Sequence, residues 1–204
     1  HYDPMIAKLI ASGRDRDEAL ARLAGALEEF TIAGIRTGLP FLRRLVEHPV
    51  FRAGRYDTGF IEEHMSDGPA PLDDALRDGI LAAVARTAAE ALDSGTQESI
   101  GFEVSLPGEP SVPVEVVHGS ASSAGSETGA EGIEVRVKGR PLDVEVVSSD
   151  GVLRTLRIGD ALTRLSLVEK KRGRYDVGLR DRVLASKVER LADPGAIAVD
   201  APTE

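Results

Sequence analysis

From residue 100 to residue 191 the apolar side chains recur at every second position, and this alternation constrains the fold more than any other feature. Ile100, Phe102, Val104 and Leu106 alternate with Gly101, Glu103 and Ser105. In an extended chain that spacing puts the apolar groups on one face and the polar ones on the other. Further runs follow at 112–117, 133–138, 142–147, 152–158, 162–168, 174–180 and 183–191. Lys138-Gly139, Asp150-Gly151 and Arg172-Gly173 fall between runs, where a hairpin must reverse and positive φ is needed. About eight short strands at hairpin spacing predict an antiparallel barrel or sandwich. The first and last runs, 100–106 and 183–191, are expected to close it.

Ahead of the strands the period is helical. Leu72, Leu76, Ile80, Ala83, Val84, Thr87, Ala88 and Ala91 recur at three-to-four spacing, which predicts a helix of about twenty residues. Its buried side is rich in Ala, so other elements can approach its axis closely. A coiled-coil arm is the competing reading, but the stripe is shorter than the three or four heptads such an arm needs. A long Ala-rich helix followed by strands predicts an α+β class with a barrel wrapped around the helix.

The first third is organised differently. Residues 5–11 read as a short apolar strand ending at Ser12-Gly13. Asp15 and Glu18 form a D-x-x-E helix start, and Leu20, Leu23, Leu27 and Phe30 give one apolar face over 16–30. Thr37 is expected to cap a second helix with Pro40 in its first turn, and a third short helix begins near Thr58. One strand and three helices cannot close a core, so the remaining sheet is expected from residues upstream of His1. The domain reading is therefore 1–65 for this segment, 66–71 for a Gly- and Pro-bearing linker, 72–193 for helix plus barrel, and 194–204 for a tail.

Charge and composition exclude several functions. The net charge is −9, and residues 66–132 hold two basic against twelve acidic residues. That excess repels phosphate backbones, so no nucleic-acid partner is expected. With no cysteine, thiolate metal sites and Cys nucleophiles are excluded, and a cytoplasmic protein is the simplest reading. No apolar stretch is long enough for a membrane span. His1, His48, His64 and His118 include no i,i+4 pair, so no metal site is expected. The glycines between Gly119 and Gly132 lack both the P-loop lysine and the G-x-G-x-x-G spacing, and read as a loop. The basic cluster Lys170, Lys171, Arg172 and Arg174 reads as a solvated hairpin tip or as a contact for CoA phosphates or an acidic partner.

Three blocks in the first third carry a resemblance. They are Tyr2-Asp3-Pro4-Met5-Ile6-Ala7-Lys8-Leu9-Ile10, Ile32-Ala33-Gly34-Ile35-Arg36-Thr37 and Asp57-Thr58-Gly59-Phe60-Ile61-Glu62. In register, they resemble the carboxyl end of biotin carboxylase subunits, the ATP-dependent half of biotin-dependent acyl-CoA carboxylases. By architecture and position, the helix and barrel resemble the BT domain, which holds biotin carboxylase against the carboxyltransferase subunit in some α subunits. The fold expectation is thus a helical C-terminal piece of a biotin carboxylase C-domain, then a long helix with an antiparallel eight-stranded BT-like barrel.

The resemblance implies ATP, magnesium and biotin for the parent enzyme, with none bound by this segment alone, since the family's catalytic residues lie upstream. It implies a biotin carboxylase homodimer partner, a carboxyltransferase β subunit and a biotinyl carrier domain as partners. Asp3 matches a position near the homodimer interface, though an acid in Tyr-Asp-Pro is equally a turn former. Thr58 and Gly59 match positions at the adenine end of the ATP site, and Thr58 is equally explained as a helix cap. Arg172, Arg174 and Tyr175 supply the residue types that anchor an interface. No Ala-Met-Lys-Met biotin-attachment motif is present. A non-catalytic adaptor joining two partners is the alternative from a different functional class.

Overall fold

A computed structural model describes residues 5–92, 99–118 and 133–192. Asp3, the Gly119–Gly132 loop and the 194–204 tail lie outside the described residues. The chain divides into two compact units, one of His1–Ala70 with Arg180–Arg182 and one of Pro71–Leu179 with Val183–Glu204.

Among the described residues the first unit holds four helices: α1 (Arg16–Glu29), α2 (Leu39–Glu47), α3 (Pro49–Arg52) and α4 (Phe60–His64). Asp15 caps α1 by accepting from the Glu18 backbone N–H at 2.9 Å. A full capping box would have Glu18 reach back to the Asp15 N–H. Instead the Glu18 carboxylate accepts from the backbone N–H and the Nε of Arg14, both at 2.8 Å. Of the expected apolar face only Leu20 and Leu27 are buried, and Phe30 lies past the helix end. Pro40 sits in the first turn of α2 as the spacing predicts, but Gly38, not Thr37, is the N-cap; Thr37, one residue earlier, accepts from the Leu39 N–H at 3.3 Å.

Residues 5–11 do not form the expected strand. Met5, Ile6 and Ile10 are 61%, 62% and 80% exposed. A strand exists only through hydrogen bonds to a neighbouring strand, and the first unit contains none among the described residues.

In the second unit α5 (Asp74–Glu90) is capped by Asp73, which accepts from the Leu76 N–H at 2.7 Å. Every residue from Gly79 to Ala85 is buried. Seven consecutive buried positions cover the full circumference of a helix, so it must be surrounded. Strands β1 (Ser99–Ser105), β2 (Val112–His118), β3 (Ile133–Val137), β4 (Arg140–Leu142), β5 (Val144–Asp150), β6 (Leu153–Ile158), β7 (Ala161–Lys171), β8 (Arg174–Gly178) and β9 (Val183–Arg190) do the surrounding. They form one antiparallel sheet in the order β4-β3-β2-β1-β9-β8-β7-β6-β5, and α5 packs on β1, β2, β3, β4, β6 and β9.

The expected pairing of first and last strands is present, with Val104 opposite Val188. The edge strands β4 and β5 are joined through Asp143 alone, which makes the sheet a nearly closed barrel. The strand count is nine among the described residues, not eight, because the 142–147 run breaks at Asp143. Its front end, Arg140–Leu142, turns back on β3 through Lys138 and Gly139, both at positive φ (53° and 74°). Two central residues at positive φ are what a tight two-residue hairpin requires. The inward faces of β1 and β2 meet α5 through Ile100, Phe102, Val104, Val114 and Val116.

Candidate functional site

In the first unit, the short stretch from α2 to α4 gathers an aromatic cluster beside an open cleft. Pro49 starts α3 in the position that tolerates a missing N–H. The helix lasts only four residues, and Gly54, at φ 69°, turns the chain away from its end. That turn brings three aromatic rings together. Phe51 and Tyr56 stack with centroids 4.7 Å apart, and Phe60 lies 6.1 Å from each. His48 meets Phe60 edge-on at 5.1 Å, and His64 lies 5.1 Å from His48 and 5.2 Å from Phe60.

Beside these rings is an open cleft of about 310 Å³ lined by Arg55, Tyr56, Asp57, Phe60, Glu63 and His64, with Gly54 at one end. Tyr56 is the exposed ring of this lining, Phe60 is buried beneath it, and the rim of Arg55, Asp57, Glu63 and His64 is polar and carries both charge signs. Among the described residues no group of three or more His, Asp or Glu could hold a metal ion.

Thr58 and Gly59 lie at the start of α4, between lining residues, without lining the cleft themselves. Thr58 is exposed and Gly59 half-buried. Asp57, not Thr58, caps the turn, accepting from the Gly59 N–H at 2.8 Å. A Cβ on Gly59 would stand 3.2 Å from Asp57 Oδ1, so this position is nearly filled. Sequence reasoning missed the aromatic cluster. Its signal was present: three of the chain's five Phe and three Tyr fall within Phe51–Phe60.

At the second candidate site, the turn between β7 and β8, Arg172 and Arg174 are exposed. The Gly173 N–H donates to Glu169 at 3.2 Å, and Lys170 lies 3.9 Å from Asp176. Tyr175 is 4% exposed because it alternates inward with Val177 on β8. Burial, and secondarily the charge of Glu169, push its phenol above the ordinary tyrosine range. Its ring therefore belongs to the barrel core, and the two arginines are the anchor-type residues this turn exposes. No helix of the described residues is long and apolar enough to cross a membrane.

Comparison with known proteins finds similarity over the start of the chain. Residues 1–63 match the biotin carboxylase C-terminal domain. The chain is 48% identical over 64 residues to the biotin carboxylase of Halalkalibacterium halodurans, covering 31% of this chain and 14% of that protein. It is 50% identical over 64 residues to biotin carboxylase 1 of Bacillus subtilis, with the same coverage. It is 49% identical over 71 residues to the mitochondrial methylcrotonoyl-CoA carboxylase subunit alpha of Dictyostelium discoideum, covering 35% of this chain and 10% of that one. The chain thus spans 14% or less of the length of these relatives. Residues 1–63 are thus similar to the biotin carboxylase C-terminal domain, and the match does not extend to the rest of the chain.

Proposed function

We propose that this chain is the carboxyl-terminal portion of the α subunit of a biotin-dependent acyl-CoA carboxylase. The observation that carries the reading is the identity over residues 1–63 to biotin carboxylases and a carboxylase α subunit. The parent reaction is the ATP- and magnesium-dependent carboxylation of biotin by bicarbonate, followed by transfer to an acyl-CoA. Its phosphate and metal chemistry relies on electrostatic clamping and belongs to residues outside this chain. This chain contributes the adenine end. Thr58 and Gly59, in the turn beside the cleft, are assigned to the vicinity of the base, with the exposed Tyr56 ring at the cleft wall. Asp3 would lie near the homodimer contact.

The division of labour has a direct assay. This chain alone is expected to show no bicarbonate-dependent ATP hydrolysis, with or without free biotin, while the full-length subunit shows it. Turnover by the purified chain above a mock preparation would contradict the reading.

The barrel is assigned the docking of the carboxyltransferase subunit, with a biotinyl carrier domain as a further partner. Arg172 and Arg174 are its proposed anchors, since exposed arginines are frequent interface hot spots. Changing both to Ala is expected to weaken association with the carboxyltransferase by about 2 kcal/mol, roughly thirtyfold in Kd. A calorimetric titration with unchanged Kd, on protein whose circular dichroism matches wild type, would return this turn to a solvated hairpin tip.

A further inference from the structure

Arg16 occupies the first turn of α1, far in sequence from the cleft, yet its side chain ends on the cleft's supporting turn. The guanidinium donates from Nη2 to the Phe51 carbonyl at 2.7 Å and from Nε to the Arg52 carbonyl at 3.2 Å. Those carbonyls are the last two of α3; that of Phe51 also accepts from the Gly54 N–H at 3.1 Å, so the guanidinium adds to the closing turn of the helix. The same group lies 5.3 Å from the Phe51 ring centroid and 5.6 Å from that of Tyr56, within cation–π range of both stacked rings. Gly54, at φ 69°, turns the chain from the end of α3 toward Tyr56. One side chain therefore ties α1 to the end of α3 and to Tyr56.

The chain continues from Tyr56 straight into Asp57, Thr58 and Gly59, and the Asp57 carboxylate in turn fixes the Gly59 N–H. We propose that Arg16 is a positioning residue that holds the 53–59 turn at the adenine end of the nucleotide site. The inference rests on the biotin carboxylase reading given above. Arg16 touches no reacting atom; it acts through Tyr56 and the turn, so its removal affects nucleotide affinity before chemistry. A planar guanidinium can cap two carbonyls while lying over two rings, and an ammonium cannot do both.

The test is steady-state kinetics on the full-length subunit carrying Arg16→Met or Arg16→Lys. Methionine keeps a good helix former in α1 while removing the charge and the donors. For Arg16→Met, KM for ATP is expected to rise about tenfold, with kcat at saturating ATP and KM for bicarbonate within about twofold of wild type. Arg16→Lys is expected to fall between the two. An unchanged KM for ATP in Arg16→Met, with wild-type enzyme active, would overturn the positioning role alone. So would a parallel loss in kcat and in KM for bicarbonate with a lowered melting temperature, which marks general structural damage. A wild-type subunit without biotin carboxylation would remove the parent reading, and the inference with it.

Discussion

Gly79→Leu is expected to destabilise the barrel unit by about 3 kcal/mol, lowering its melting temperature by roughly 12 °C or more. Gly79 lies in the buried middle of α5, where a glycine costs about 1 kcal/mol relative to alanine. It is there because β6 comes too close for a side chain. A Cβ on Gly79 would overlap Ile158 Cδ1 and stand 3.0 Å from its Cγ1. Gly79→Ala adds one methyl against the movable end of Ile158, and gains helix propensity, so its net effect is expected within about 1–2 kcal/mol of wild type. Leucine cannot be accommodated that way inside a ring of strands. Thermal unfolding of both variants checks this, and the double variant Gly79→Leu with Ile158→Ala is expected to recover part of the loss. Equal melting temperatures for wild type and Gly79→Leu would mean that the strands do not enclose the helix.

The two halves are expected to differ sharply when expressed apart. Among the described residues, twenty-five apolar residues are buried in the core of the second unit, against five in the first: Leu20, Leu27, Val46, Phe60 and Met65. Burying apolar surface is the main favourable term in folding, so residues 66–204 alone are expected to unfold in one cooperative transition. Residues 1–65 alone expose Met5, Ile6, Ile10, Ile35 and Ile61. They are expected to aggregate or to remain molten, binding a hydrophobic dye and lacking near-ultraviolet circular dichroism. Well-dispersed NMR spectra from 1–65 would contradict this.

The barrel was readable in the sequence because one of its faces is buried and the other solvated, so burial leaves a period-two trace. Turn chemistry made it more readable still: Gly139, Gly151 and Gly173 all adopt positive φ at strand reversals. The separate β4 was not readable, because three residues are too few to show a period and the break at Asp143 carries no Gly or Pro. The helix α5 betrayed its burial through Ala content, and its start through Asp73. In the first unit, the strand at 5–11 was read from apolar content, but pairing depends on a neighbour that local sequence cannot supply. The cleft was hidden for a similar reason. Phe51, Tyr56 and Phe60 follow no single period, and only the turn at Gly54 brings their rings together. Arg16 and its 35-residue reach to Phe51 left no local signal at all. Tyr175 was readable as an aromatic beside two arginines, but its side of the strand was decided by register with Val177.

Deleting residues 66–204 from the full-length subunit, and then measuring both activities on one preparation, tests the assignment of roles most directly. The expected result is that ATP-dependent carboxylation of free biotin persists, since residues 1–65 remain to complete the biotin carboxylase. Co-elution with the carboxyltransferase subunit is expected to be lost, together with acyl-CoA carboxylation. Retained co-elution at wild-type affinity would contradict a docking role for the barrel.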